Sequence, residues 1–179
     1  ELESTINHGR NKAYYEIRGV ACGKREVLFI LRDITVRKNL ENKLTYIGTI
    51  DFLTGLYNRS YFERVQQDIL RDSKNRIGMI ICDIDGLKLI NDTLGHSAGD
   101  MYLKQAANII KECSPKDSIV ARIGGDEFGI LVFNADEKLL EGICLRINSR
   151  VNEFNLNNSG TYLSISTGMA QADTFVQDD

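Results

Sequence analysis

Residues 77–84, "IGMIICDI", constrain this chain more than any other stretch. The run is almost wholly apolar and short, which predicts a β-strand covered on both faces. A strand of that kind lies inside a sheet, and this one ends in a carboxylate, Asp83. A core element therefore delivers charge to one end of the sheet. Two further strand patterns, "SIVARI" at 118–123 and "FGILVF" at 128–133, flank Gly124, Gly125, Asp126 and Glu127. Gly-Gly between strand patterns predicts a tight hairpin. Two like charges at its tip repel, so the tip is either a solvated turn or a site for a cation or a phosphate.

The rest of the chain fills in around these strands. "SYFERVQQDILRDSKN" at 60–75 is helical in pattern, with Phe62, Val65 and Ile69 on one side. "GDMYLKQAANIIKECS" at 99–114 and "DEKLLEGICLRINSRVNEF" at 136–154 are helical too, and "TYLSISTGMA" at 161–170 alternates as a strand. From residue 77 the order is β-α-β-β-α-β. That predicts an α+β, ferredoxin-like core. Its antiparallel sheet carries helices on one face, the other face being covered by something else or exposed.

Upstream, 13–21 and 26–33 are strand-like around the polar link "CGKR", which predicts a β-hairpin. A hairpin forms no core alone, so residues 1–35 are expected to be the end of a larger domain. Residues 36–50 form a helix with Val36, Leu40, Leu44 and Ile47 in one stripe. It is either a surface helix packed on its own domain or one strand of a two-chain coiled coil, and a place between two domains favours the second. Residues 51–179 are the third part.

The chain has 179 residues, enough for one full domain plus extra material. Its net charge of −3 gives no global electrostatic case for binding nucleic acid. No apolar run approaches the roughly 20 residues that span a bilayer, and "ELESTINHGRNKAYY" lacks the apolar core of a signal peptide. No membrane contact is expected of this segment. Cys22, Cys82, Cys113 and Cys144 form no C-x-x-C pair, and His8 and His96 lie far from them in sequence. Zinc is not expected, and Cys82 and Cys144 are expected as small core residues. Reduced thiols point to the cytoplasm.

In this topology the first core strand and the central hairpin are neighbours, so Asp83, Asp126 and Glu127 are expected to converge. Converging carboxylates raise one another's pKa and cost stability unless a cation sits among them. Mg²⁺ takes carboxylate and backbone oxygens at roughly 2.0–2.1 Å and leaves positions for substrate phosphates. The following stretch, "DGLKLINDTLGHSAGD" at 85–100, adds Gly86 for a tight backbone turn and Lys88 as a cation. Successive N–H groups in such a turn form an anion-binding nest. Asn91 and Asp100 flank "DTLGHSAG". Taken singly, Asn91, Asp92 and Ser97 read as turn or cap residues.

Taken together, "DFLTGLYNR", "DIDGLKLINDTLGHSAGD" and "ARIGGDEF" resemble the GGDEF family of diguanylate cyclases, from Asp51 to about Ala170. The resemblance implies a nucleotidyl cyclase-like form of the ferredoxin core. It implies condensation of two GTP into cyclic di-GMP with release of two pyrophosphates, the 3′-hydroxyl of one GTP attacking the α-phosphorus of the other. It places Mg²⁺, with Mn²⁺ as an alternative ion, on the Asp83 carboxylate, the Ile84 carbonyl and the Asp126 carboxylate. Glu127 is a second metal ligand or a hydrogen-bond acceptor. Asp126 is also the candidate for deprotonating the 3′-hydroxyl, and Asp126, Glu127 and Lys88 make up the implied catalytic set. Lys88 with the N–H groups of Gly86 and Leu87 cradles the phosphates. Asn91 and Asp100 read guanine, whose donor edge suits a carboxylate. Gly124 and Gly125 leave room for nucleotide, and His96 stabilises the loop or touches the nucleotide. One GTP per domain implies a homodimer.

The upstream hairpin with "RDITVRKNLENKL" resembles the last two strands and exit helix of a PAS sensor domain. The resemblance leaves room for a membrane anchor upstream in the parent protein. Three departures stand out. Many members carry R-x-x-D shortly before the signature, where product binds and inhibits; here "PKDS" puts Pro115 and Ser118 at those positions, so that site is expected to be missing. Leu87 replaces the commoner Phe. The family continues past "QADTFVQDD" through a helix whose lysine and arginine contact the triphosphate, which implies a C-terminally incomplete domain. The rival reading is a module that binds GTP or cyclic di-GMP, or dimerises, without turnover.

Overall fold

A computed structural model of the chain describes residues 2–8, 11–22, 26–72, 76–158 and 162–173. The chain divides into two units, Glu1–Ile47 and Gly48–Asp179.

In the first unit, β1 (Leu2–His8), β2 (Asn11–Ala21) and β3 (Val27–Asp33) form an antiparallel sheet in that order. The hairpin expected at 13–21 and 26–33 is therefore widened by a third strand, with Leu2 facing Ile17 and His8 facing Asn11. Helix α1 (Thr35–Thr49) follows at once. Its start is stapled to β2: the Ile34 N–H donates to the Tyr14 carbonyl at 2.9 Å, and the Tyr14 N–H donates to Thr35 Oγ1 at 2.9 Å. Asp33 Oδ1 accepts the Thr35 N–H at 2.8 Å, an N-terminal cap. Ile34 is the one buried apolar residue of this unit among the described residues, and all of β3 is exposed.

The second unit opens with an Asp51–Leu56 turn and the short strand β4 (Tyr57–Asn58). Then come α2 (Arg59–Asp72), β5 (Arg76–Ile84), α3 (Leu87–Leu94), α4 (His96–Cys113), β6 (Ile119–Arg122), β7 (Glu127–Phe133), α5 (Glu137–Asn157) and β8 (Ile165–Asp173). The sheet order is β4-β6-β7-β5-β8. All neighbours are antiparallel except β4 and β6. The stretch 85–98, where the sequence offered a turn at Gly86, turn or cap residues and a loop near His96, holds helix α3 and the first turn of α4, parted at Gly95. Leu87 and Ile90 are both buried at helical spacing, which holds α3 in place.

Strand β5 is the centre. Ile80, Cys82 and Ile84 share one core with Leu103, Ala106 and Ile110 of α4 and Leu140, Ile143 and Ile147 of α5. Burial pushes the Cys82 thiol up to about 12, so it is an inert filler of this core. On the opposite face, Ile77 packs with Ala121, Leu131 and Phe62. Helix α2 is thus the cover that the sequence left unassigned, and its Phe62–Val65–Ile69 stripe is the contact. A Cβ on Gly129 would lie 2.6 Å from the Phe62 ring, so the sheet needs glycine there. Gly129→Ala is expected to cost about 1–3 kcal/mol by overpacking. Thermal denaturation checks it, and an unchanged melting temperature contradicts the packing described.

Candidate active site

Register puts charge at one end of this sheet. Residues 77, 79, 81 and 83 of β5 alternate onto the face that α2 covers. Asp83 lies directly opposite Glu127 of β7 and opposite Ser166 of β8. The hairpin tip closes over the strand end, where the Ile84 N–H donates to the Asp126 carbonyl at 3.1 Å. Burial first, and then Asp126, Asp85 and Glu127 in turn, push the Asp83 carboxyl above the ordinary carboxylate value.

The three expected carboxylates do not gather at one point. Among the described residues no group of three or more His, Cys, Asp and Glu could hold a metal ion. Glu127 is the one that departs. Its carboxylate folds back over Gly124, with Oε2 2.5 Å from where a Cβ would stand, and lies within electrostatic reach of Arg59. That guanidinium is itself bonded to Glu63, at 2.6 Å from Nε. What remains is Asp83 with Asp126, the acidic neighbour that raises it most, whose backbone carbonyl is bonded to the Ile84 N–H. One or two carboxylates plus a carbonyl is a donor set that suits Mg²⁺ when phosphates supply further oxygens.

The tip is a three-residue bend, Gly124–Asp126, in which the Ile123 and Gly124 N–H groups both donate to the Glu127 carbonyl. Neither glycine has a positive φ, so space rather than turn geometry is what they supply. Nothing lies within 4 Å of a Cβ on Gly125. Arg122, which sequence reasoning missed, braces the bend. Its guanidinium donates to the Gly125 carbonyl through Nη2 at 2.7 Å and Nε at 3.2 Å. Its Nη1 lies 3.5 Å from Asp51 Oδ2. Burial opposes the Asp51 charge, but the Thr54 hydroxyl and amide and the Arg122 guanidinium outweigh it and hold that carboxyl below its ordinary value. An arginine just before Gly-Gly was the available signal.

Past Asp83 the chain turns into a helix. Gly86 has φ 72° and caps α3 with no side-chain bond, so the first-turn amides of Leu87 and Lys88 face outward from a helix N-terminus. Such an end attracts anions. Lys88 is exposed on that turn. Asp85 leans the other way: its carboxylate accepts the Ser164 hydroxyl at 2.5 Å and the Ser166 hydroxyl at 2.8 Å. Those serines also escaped the sequence reading; their alternation in "LSIS" was the clue. Asn91 sits against α4, its Oδ1 2.0 Å from where a Cβ on Gly99 would be. Gly99 is buried and the next residue, Asp100, is exposed. Asn91 thus packs at the α3–α4 contact, and Asp100 is the next residue along α4 from that contact. His96 is exposed at the start of α4.

Residues 48–178 match the family described as diguanylate cyclase, GGDEF domain, and the chain belongs to that family. It is 33% identical over 152 residues to the cyclic di-GMP phosphodiesterase PdeR of Escherichia coli, covering 83% of this chain and 23% of that protein. It is 32% identical over 130 residues to the probable diguanylate cyclase DgcE of the same organism, covering 71% and 12%. The chain thus spans less than a quarter of either relative. Among solved structures, the coiled coil and GGDEF domain of DgcB from Caulobacter crescentus, in complex with c-di-GMP, superposes with a TM-score of 0.70. That match is 25% identical and covers 78% of this chain and 76% of the other. Among the described residues no helix is long and apolar enough to cross a membrane.

Because the fold raises the pKa of Asp83, its ionisation costs stability as pH rises from 3.8 through the folded-state value. Asp83→Asn is therefore expected to raise the melting temperature at pH 7 without divalent cations. The gain should fade below about pH 4. An unchanged or lower melting temperature at pH 7 contradicts this electrostatic account.

Proposed function

We propose that this chain carries a diguanylate cyclase domain that condenses two GTP into cyclic di-GMP and releases two pyrophosphates. The observation that carries the reading is the acidic sheet edge of Asp83 and Asp126 set beside the N-terminus of α3. Phosphoryl transfer asks mostly for positioning and charge neutralisation, and these two features supply one each.

The site residues take the following roles in this proposal. Asp83, the Ile84 carbonyl and Asp126 hold Mg²⁺ or Mn²⁺, with Glu127 able to join by swinging away from Gly124. The ion, when bound, neutralises phosphoryl charge and lowers the pKa of the attacking hydroxyl. Gly86, Leu87 and Lys88 hold the triphosphate by two backbone amides and one ammonium. Asn91 and Asp100 accept the guanine donor edge, and Gly125 leaves the nucleotide space at the hairpin. Asp126 accepts the 3′-hydroxyl proton, while His96 orders the start of α4.

Each domain presents one such site, so the product requires a homodimer. The exposed stripe of α1 supports this: Val36 is 75% and Leu44 69% exposed, with Leu40 and Ile47 also exposed. Such a stripe suits a parallel coiled coil with a second copy. The exposed apolar strand β3 supports the reading of residues 1–35 as part of a PAS-like sensor domain whose remaining surface covers it. In this reading residues 36–50 are the linker, and residues 51–179 carry the cyclase in the cytoplasm. At the product-inhibition position, the Ser118 amide and hydroxyl both donate to the Pro115 carbonyl, a closed turn that supports a missing inhibitory site.

A second reading is a GGDEF domain that binds nucleotide or dimerises without turnover. The similarity to a protein named as a cyclic di-GMP phosphodiesterase favours it. Incubation with GTP and Mg²⁺ separates the two. Cyclic di-GMP and pyrophosphate are expected, with a rate per protein that rises with protein concentration. Asp126→Ala is expected to lose at least about 100-fold in rate. Bound GTP without product at any concentration makes the second reading the correct one.

A further inference from the structure

We propose that Ser164 and Ser166 are positioning residues for the phosphate-binding turn, acting through Asp85. The proposal rests on the nucleotide-binding reading above and adds a strand, β8, to which that reading gives no role.

Asp85 is the first residue beyond β5 and joins the acidic edge to the Gly86 turn. Three bonds tie it to the chain entering β8. Its N–H donates to the Ser164 carbonyl at 3.1 Å. Its Oδ2 accepts the Ser164 hydroxyl at 2.5 Å and its Oδ1 accepts the Ser166 hydroxyl at 2.8 Å. Ser164 immediately precedes β8 and Ser166 lies within it, both hydroxyls reach the same carboxylate, and Ser166 is the register partner of Asp83. Two donors on two carboxylate oxygens fix both the position and the rotation of that group. Charge-assisted bonds of this kind are roughly twice as strong as neutral ones.

The clamp is itself anchored. Asn155 of α5 donates to the Leu163 carbonyl at 2.7 Å and accepts the Leu163 N–H at 2.9 Å. Leu163 is buried in the main core. A continuous set of contacts therefore runs from the core, through the segment entering β8, to Asp85 and on to Gly86. Gly86 has no side chain to hold its own left-handed turn, and the Leu87 and Lys88 amides follow directly from it. Fixing Asp85 fixes where those amides point. The same bonds draw the Asp85 charge toward β8, whereas an untethered carboxylate there could swing against Asp83 and Asp126 and compete for their cation.

The test uses two probes that engage different ends of the nucleotide: pyrophosphate with Mg²⁺, and guanosine. Binding of each is followed by NMR titration. In the double variant Ser164→Ala/Ser166→Ala, pyrophosphate affinity is expected to fall about tenfold, as expected for loss of hydrogen bonds to a charged group. Guanosine affinity is expected to stay within about twofold, because Asn91 and Asp100 do not depend on the clamp. Ser164→Thr/Ser166→Thr keeps both hydroxyls and is expected to bind pyrophosphate as the native chain does. Unchanged pyrophosphate affinity in the alanine variant overturns the proposal. So does a parallel loss of both probes, which marks a merely structural role. A native chain that binds neither probe overturns the nucleotide reading itself, a result distinct from native and variant binding alike.

Discussion

Strand β5 is hydrogen-bonded on both edges, to β7 and β8, and packed on both faces, by α4 and α5 on one side and α2 on the other. Such a strand has no freedom of register. A slip of one residue would turn Ile80, Cys82 and Ile84 out of the main core and bring the opposite set in. The same register sets Asp83 against Glu127 and Ser166. Burial of the apolar half of the strand thus fixes the position of its charged end. Gly129 belongs to this constraint, because it lets Phe62 of α2 close on the sheet next to the acidic edge.

Charge at that edge is handled by a set of separate devices. Asp83 is left uncompensated, and its raised pKa records the strain. Asp85 is drawn to the β8 hydroxyls. Glu127 folds back over Gly124, and Arg122 braces the hairpin while pairing with Asp51. Asp85 and Glu127 are held by other partners, yet Asp126, Asp85 and Glu127 still raise the Asp83 carboxyl, which is the charge imbalance that the proposed cation would relieve.

The central strand, the flanking hairpin and the helices of the main core were legible in the sequence because each has a strong period. Residues 77–84 are apolar but for Asp83, and 99–114 and 136–154 repeat at helical spacing. The α2 cover was half legible: the stripe of Phe62, Val65 and Ile69 was plain, but its target depends on a long-range contact at Gly129. The helical character of 87–94 was hidden between Gly86 and Gly95 and under Asn91 and Asp92, which read as turn or cap residues until Leu87 and Ile90 are seen to be buried. Strand β1 is largely polar, with Leu2 and Ile6 as its apolar residues, and its pairing with β2 carries no strong local signal. Among the residues expected at the site, the acids and Gly86 were singled out by type and place in the sequence. Arg122, Ser164 and Ser166 act through partners distant in sequence, and only the folded chain brings Ser166 within 2.8 Å of Asp85.

The central claim is that the uncompensated acids and the helix N-terminus form one site completed by a cation and a triphosphate together. Calorimetric titration of the chain with a non-hydrolysable GTP analogue, with and without Mg²⁺, tests it most directly. The account predicts binding that is at least about tenfold tighter with Mg²⁺ present, since ion and phosphates neutralise the edge jointly. Equal affinity in the presence and absence of Mg²⁺ would contradict it.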